Sequence, residues 1–171
     1  DHFTTGINAT WTQTPALTHR LNAGLDFAET DNENTDPWGY DFTPLGNRSN
    51  TLQRLRTMTV DYVGTWAYQP MTDLESTLSF GGQLFDESEW RLNGFGRDFS
   101  GPGDKDVDSG AVTTASENRS SLAQGGFFIQ ELLGFQDRLF ITAGVRVDGH
   151  SSFGENFGWE VYPKVSAAYM I

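Results

Sequence analysis

FFIQELLGFQDRLFITAGVRVDGHSSFGENFGWEVYPKVSAAYMI, residues 127–171, decides how this chain is read. From Leu139 to Asp148 every second residue is apolar: Leu139, Ile141, Ala143, Val145 and Val147. Phe140, Thr142, Gly144, Arg146 and Asp148 fall between them. Side chains of an extended strand point alternately to its two faces, so this is a strand with one oily and one wet side. Phe135-Gln136-Asp137-Arg138 is too short and polar to be anything but a turn from the preceding run, Ala123 to Phe135. After a loop at 149–158, Trp159, Val161, Pro163, Val165, Ala167, Tyr169 and Ile171 resume the alternation.

The same rhythm extends towards the start of the chain. Phe3 to Thr12 alternates, Thr14-Pro15-Ala16 turns, and Leu17, His19, Leu21, Ala23, Leu25 and Phe27 form the apolar side of a second strand, with His19 as an outlier near the turn. Met58, Val60, Tyr62, Gly64, Trp66 and Tyr68 mark a third strand, and Leu74 to Phe85 a fourth, joined at 69–73. The intervals 30–56 and 86–121 lose the alternation and are expected to be long loops, a length that favours a functional role. In the fifth strand the facing is ambiguous, because Glu131 shares a side with Phe127, Ile129, Leu133 and Phe135.

Connections therefore run short, long, short, long, short, medium over seven strands. That sorting predicts an all-β, antiparallel, up-and-down transmembrane β-barrel, with these strands forming part of a larger one. Seven strands leave two unpaired edges, which other parts of a longer chain are expected to cover. Trp11, Trp66, Tyr68, Phe135 and Tyr169 lie close to the short turns or the next one due, where an interfacial aromatic girdle belongs. No run approaches the roughly 18 apolar residues of a membrane helix, and a barrel needs none. The abrupt opening at Asp1 and stop at Ile171 lead to the expectation of an internal piece of a longer protein.

Composition narrows the function. Without cysteine there is neither a disulfide framework nor a thiolate metal site. Eleven Lys and Arg against 23 Asp and Glu, a net charge of -12, argue against nucleic acid, whose phosphates require a basic face. No nucleophile elbow, phosphate loop or metalloprotease helix is present, so no enzyme and no cofactor is expected. The glycosylation sequons at Asn8, Asn47 and Asn118 carry no weight if the protein is bacterial.

Phe128-Ile129-Gln130-Glu131, Asp137-Arg138-Leu139-Phe140, the run from Thr142 to Gly149, Ser151-Ser152-Phe153-Gly154 and Tyr162-Pro163-Lys164-Val165-Ser166 resemble the TonB-dependent receptors of the bacterial outer membrane, and among them the SusC-like nutrient transporters. The resemblance implies an integral barrel of about 22 strands with a plugged lumen, surrounded by outer-membrane lipid. It also implies a plug domain and a link to the TonB complex, both outside residues 1–171. The SusC-like branch implies a surface lipoprotein that lids the barrel and an oligosaccharide or peptide as cargo, with a siderophore as a further option. Two alternatives stay open: a structural or adhesive outer-membrane barrel, and a secreted β-sandwich carbohydrate-binding module.

On the barrel reading, Arg20, Asp26, Asp61, Glu75, Gln83, Arg146, Asp148, Glu160 and Lys164 lie on wet strand faces and line the lumen. Trp38, Tyr40, Trp90, Phe95, Phe99 and Phe157 are the candidate substrate contacts, since an aromatic ring offers an apolar face to sugars and other flat groups. Asp104, Asp106 and Asp108 have the alternation of a calcium loop, but Gly110 comes one place late and Ala115 stands where a bidentate Glu is required. No metal site is therefore expected.

Overall fold

The computed structural model describes residues 1–103, 105–151 and 158–171. Seven strands follow one another: β1 (His2–Thr14), β2 (Leu17–Asp36), β3 (Asn47–Met71), β4 (Leu74–Phe99), β5 (Gly110–Phe135), β6 (Leu139–His150) and β7 (Gly158–Tyr169), with one turn of 3₁₀ helix at Val107–Ser109. They form a single antiparallel sheet in sequence order. Among the described residues no second sheet covers this one, and Phe99 is the only buried hydrophobic residue. This removes the β-sandwich reading, which needs two apolar faces packed on each other.

The expected long loops are corrected. Most of 30–56 and 86–121 is strand, and the connections shrink to 37–46 and 100–109. The hydrophobic alternation stops where both strand faces carry mainly polar residues, but the backbone ladder does not need it. Polar side chains pair across the strands instead: Arg48 Nη2 with Glu33 Oε2 at 2.8 Å and Arg54 Nε with Glu29 Oε2 at 2.5 Å join β3 to β2. Gln53 Nε2 donates to Glu89 Oε1 at 2.8 Å and Thr51 Oγ1 to Asn93 Oδ1 at 2.9 Å, joining β3 to β4. Surface pairs such as Arg54–Glu29 contribute about 0 to 1 kcal/mol each, so the main-chain hydrogen bonds carry the extension.

The chain divides into two compact units. The first comprises residues 1–3, 26–56 and 88–121. Its packing centre is Phe99, 3% exposed, whose N–H donates to the Leu45 carbonyl at 2.9 Å. Beside it, Gly46 sits at φ 73°, and a Cβ there would lie 3.0 Å from the Phe99 ring and 2.9 Å from the Asp36 carbonyl oxygen. Only glycine meets both demands.

The second unit comprises residues 4–25, 57–87 and 122–171. Residues directly opposite in a ladder share a face, and the β5–β6–β7 register places Phe127, Val147 and Val161 on one side, then Ile129, Val145 and Pro163, then Leu133, Ile141 and Ala167. This settles the facing of β5. Glu131 lies on the apolar side opposite Ala143, where its carboxylate accepts a hydrogen bond from Ser76 Oγ of β4. His19 is also accommodated there, 8% exposed. Its ring stacks on Trp11 at 4.6 Å and both nitrogens are engaged, Nδ1 with Tyr62 Oη at 2.8 Å and Nε2 with Gln13 Oε1 at 3.0 Å.

The short connections are 15–16, 72–73 and 136–138, within the expected positions. Gln136 and Asp137 both take positive φ, 51° and 53°, and the Arg138 N–H returns to the Phe135 carbonyl at 3.1 Å. A tight antiparallel hairpin favours left-handed residues at its tip.

Candidate functional site

The polar face of the second unit carries a connected set of side chains. Arg146 of β6 is its hub: Nε donates to both carboxylate oxygens of Asp148, at 2.7 and 2.8 Å, and Nη2 donates to Gln83 Oε1 of β4 at 2.9 Å. Gln83 Nε2 passes the chain on to Asp61 Oδ1 of β3 at 2.9 Å. On β7, Tyr162 donates to Glu160, and these residues stand opposite Arg146 and Asp148 respectively. Lys164 Nζ reaches Gln130 Oε1 of β5 at 3.3 Å, and Gln124 bonds His150 at 2.7 Å. Asp61, Gln83, Gln124, Arg146, Asp148, His150, Glu160 and Tyr162 border an open cavity of about 540 Å³, whereas Gln130 and Lys164 lie beyond its lining, beside Arg146 and Tyr162.

Glycine makes the site possible. Gly126 is the β5 partner of Asp148, and a Cβ there would run into Asp148 Oδ1. Gly144 stands opposite both Gln130 and Lys164, and a Cβ on it would come within 3.1 Å of Gln130 Cβ. A polar side chain occupies the space that each glycine leaves, Asp148 at Gly126 and Gln130 at Gly144. The other side of the same strands is the chemical opposite: Val60, Tyr62, Phe80, Leu84, Phe127 and Trp159 border an apolar groove of about 810 Å³.

Of the residues expected to line a lumen, the structure thus brings together Asp61, Gln83, Arg146, Asp148 and Glu160, with Lys164 beside them. Arg20 and Glu75 are exposed elsewhere in the second unit. Asp26 belongs to the first unit, bonded to His2 at 2.8 Å. Sequence reasoning missed Gln124, Gln130, His150 and Tyr162. The alternation of Tyr162 with Glu160 and Lys164 is a signal that could have found that one.

The candidate aromatic contacts separate. Trp38 and Tyr40 are both 44% exposed in the 37–46 connection, next to Phe42 at 86%, and the Tyr40 and Phe42 rings stand 5.8 Å apart. Trp90 and Phe95 lie on β4, away from that connection in sequence. Phe99 is packed against Gly46 and presents no open ring face, which corrects its candidacy. Phe157 lies outside the described residues, as does Asp104. Asp106 precedes the 3₁₀ turn and Asp108 lies in it, and no group of three His, Cys, Asp or Glu among the described residues is placed to hold a metal ion.

In the first unit, Arg54 lies over the Trp90 ring, its Cζ 5.1 Å from the centroid. The Trp90 indole N–H is buried and makes no geometrically acceptable hydrogen bond. It still approaches the Glu117 carboxylate, and that approach, followed by the bond from Arg119 Nε at 2.6 Å, holds Glu117 below the usual carboxylate range. The indole contact is polar but is not a formed hydrogen bond.

No helix among the described residues is long and apolar enough to cross a membrane, which says nothing of strands. No curated protein sequence matches the chain. Solved structures do. The RagAB peptide transporter superimposes with a TM-score of 0.85 at 20% identity, covering 97% of this chain and 19% of that one. The RagAB peptide importer matches at the same identity and coverage in its open-open state, with a TM-score of 0.84, and in its closed-closed state, with 0.85. This chain therefore spans about a fifth of the length of those it matches, and at such identity the likeness speaks for the fold. The family model for the TonB dependent receptor-like β-barrel matches residues 1–171 from end to end, and the chain belongs to that family.

Proposed function

We propose that residues 1–171 are a stretch of barrel wall in an outer-membrane importer of the SusC-like branch, whose plug and remaining strands are supplied by the rest of the protein. The apolar face meets lipid. The Asp61–Gln83–Arg146–Asp148 face lines the lumen. The observation that carries this reading is the two-sidedness of the β5–β6–β7 ladder, where Phe127, Ile129, Val145, Val147 and Val161 share one face and Gln130, Arg146, Asp148, Glu160 and Lys164 the other, with Glu131 as the exception that Ser76 satisfies. A wall between lipid and water demands that division, whereas an enzyme would need a converging catalytic set. The open edges of β1 and β7 pair with further strands, since an unpaired edge in hydrocarbon leaves backbone groups unsatisfied at several kcal/mol each.

Import is energised through the TonB complex and assisted by a surface lipoprotein lid. The cargo is a peptide or an oligosaccharide, and the relation to peptide importers favours the peptide. The exposed Trp38 and Tyr40 are first contacts for it. Cells lacking the whole protein should lose uptake of a labelled oligopeptide mixture, and collapse of the proton-motive force should have the same effect in cells that have it. Unchanged uptake of peptides and oligosaccharides in both experiments would overturn the transport reading.

A further inference from the structure

The 37–46 connection keeps Trp38, Tyr40, Phe42 and Leu45 in the open, Phe42 most of all at 86%. A single exposed apolar residue needs no explanation, but a group of them on one short connection marks an interaction surface. The Tyr40 and Phe42 rings form a tilted pair.

The connection is built to hold these rings out. The Gly39 N–H donates to the Pro44 carbonyl and the Gly46 N–H to the Thr43 carbonyl, both at 2.7 Å. Asp36 clamps the two ends, accepting from Thr43 Oγ1 at 3.2 Å and from Asn47 Nδ2 at 2.7 Å. Two further bonds tie the connection to β4, from the Phe99 N–H to the Leu45 carbonyl at 2.9 Å and from the Asp98 N–H to the Gly46 carbonyl at 3.2 Å. All of these residues belong to the first unit. A surface fixed in advance loses little conformational freedom when something binds to it.

Charge says what would bind. Residues 26–47 carry Asp26, Glu29, Asp31, Glu33, Asp36 and Asp41, and neither Lys nor Arg. The flanking cations face acids of their own, Arg48 bonding Glu33 at 2.8 Å and Arg97 standing 3.9 Å from Asp98. Asp31 and Asp41 are exposed, and neither has an ion-pair partner among the described residues. Asp41 follows Tyr40 and precedes Phe42. An aromatic face attracts a cation through its quadrupole, most strongly in Trp, and an unneutralised field of acids adds to that attraction. A neutral sugar would stack on the same rings but gain nothing from the charge.

We propose that the aromatic tip of the 37–46 connection selects cationic cargo, binding Lys- and Arg-rich peptides through cation–π contact with Trp38 and Tyr40 and through the Asp41 carboxylate. The inference rests on the transport reading, and it names the class of peptide.

The test uses the whole protein in detergent, with any surface lipoprotein that purifies with it, and three peptides blocked at both ends: pentalysine, pentaglutamate and a neutral pentamer of Gly and Ser. Calorimetry should show pentalysine bound roughly tenfold more tightly than the other two at low salt, with the preference shrinking at about 0.5 M salt, where exposed charges are screened. Trp38→Ala/Tyr40→Ala should weaken pentalysine binding by roughly tenfold, the scale of two exposed cation–π contacts, and Asp41→Asn should weaken it by a smaller factor. Trp38→Phe/Tyr40→Phe should retain part of the binding, and circular dichroism checks that each variant is folded. Equal affinity for the three peptides, or an alanine variant that binds pentalysine as wild type does, overturns the proposal. If that variant instead sheds the lipoprotein while still binding pentalysine, the tip is a protein docking surface and not a cargo site. Uptake by cells separates the two readings: import of all three peptides at one rate defeats the cationic preference alone, whereas import of no peptide and no oligosaccharide defeats the transport reading and the cargo site with it.

Discussion

Gly126 stands opposite Asp148 in the β5–β6 ladder, and the Asp148 carboxylate occupies the space where a Cβ on residue 126 would lie. The Arg146–Asp148 pair, at 2.7 Å, depends on that vacancy. Gly126→Val should therefore push the carboxylate off Arg146 and strain the ladder, for a loss of about 1 to 3 kcal/mol. Gly125→Val is the control, because a Cβ at 125 finds nothing nearer than 3.6 Å. Urea titration of the whole protein in lipid vesicles checks this, and equal losses at the two glycines would show that the Arg146–Asp148 geometry is not what demands glycine.

Val145 and Thr142 test the two faces. Val145 lies between Ile129 and Pro163 on the apolar side, and Thr142 between Leu132 and Ser166 on the other. Val145→Arg should cost roughly 2 to 4 kcal/mol if it lies near mid-bilayer, and Thr142→Arg much less, since its charge enters water. Folding into vesicles measures both, and a Thr142→Arg cost as large as that of Val145→Arg contradicts the assignment of faces.

Ser76, 2% exposed, is the donor that makes Glu131 tolerable on the apolar side. Ser76→Val should cost about 1 to 3 kcal/mol, because it strands the carboxylate without its donor. Combining it with Glu131→Leu should recover most of that loss, since removing both partners leaves nothing unsatisfied. A double variant as unstable as Ser76→Val alone would mean that Ser76 matters for packing and not for the hydrogen bond.

Glu117 carries a pH prediction. The Trp90 indole N–H and the Arg119 guanidinium favour its charged form and lower its pKa. A depressed folded-state pKa contributes stability that is fully present above the unfolded value, near the ordinary 4.5, and is lost as pH falls through the folded one. Trp90→Phe should move the Glu117 midpoint upward, towards that ordinary value, and Arg119→Ala should do so by a smaller amount. NMR titration of the Glu117 carboxyl carbon reads this directly, with an unmoved midpoint in both variants counting against the assignment.

What the sequence by itself determined is every feature written in the alternation of oily and polar residues: seven antiparallel strands, the three tight turns, the facing of β6 and β7, and the grouping of Asp61, Arg146 and Asp148 on a wet side. Period two is visible only where the two faces of a strand meet different surroundings. The strand extensions of 30–36, 47–56, 86–99 and 110–121 carry polar residues on both faces and show little contrast of period two, so they read as loops although they are strand. The facing of β5 was undecidable for a related reason, since Glu131 breaks the pattern and the Ser76 hydroxyl that excuses it comes from another strand. Phe99 looked like an exposed ring until the fold of 37–46 covered it. Tertiary structure alone decided these points, because each depends on a cross-strand neighbour distant in sequence, and local polarity carries no record of which neighbour that will be.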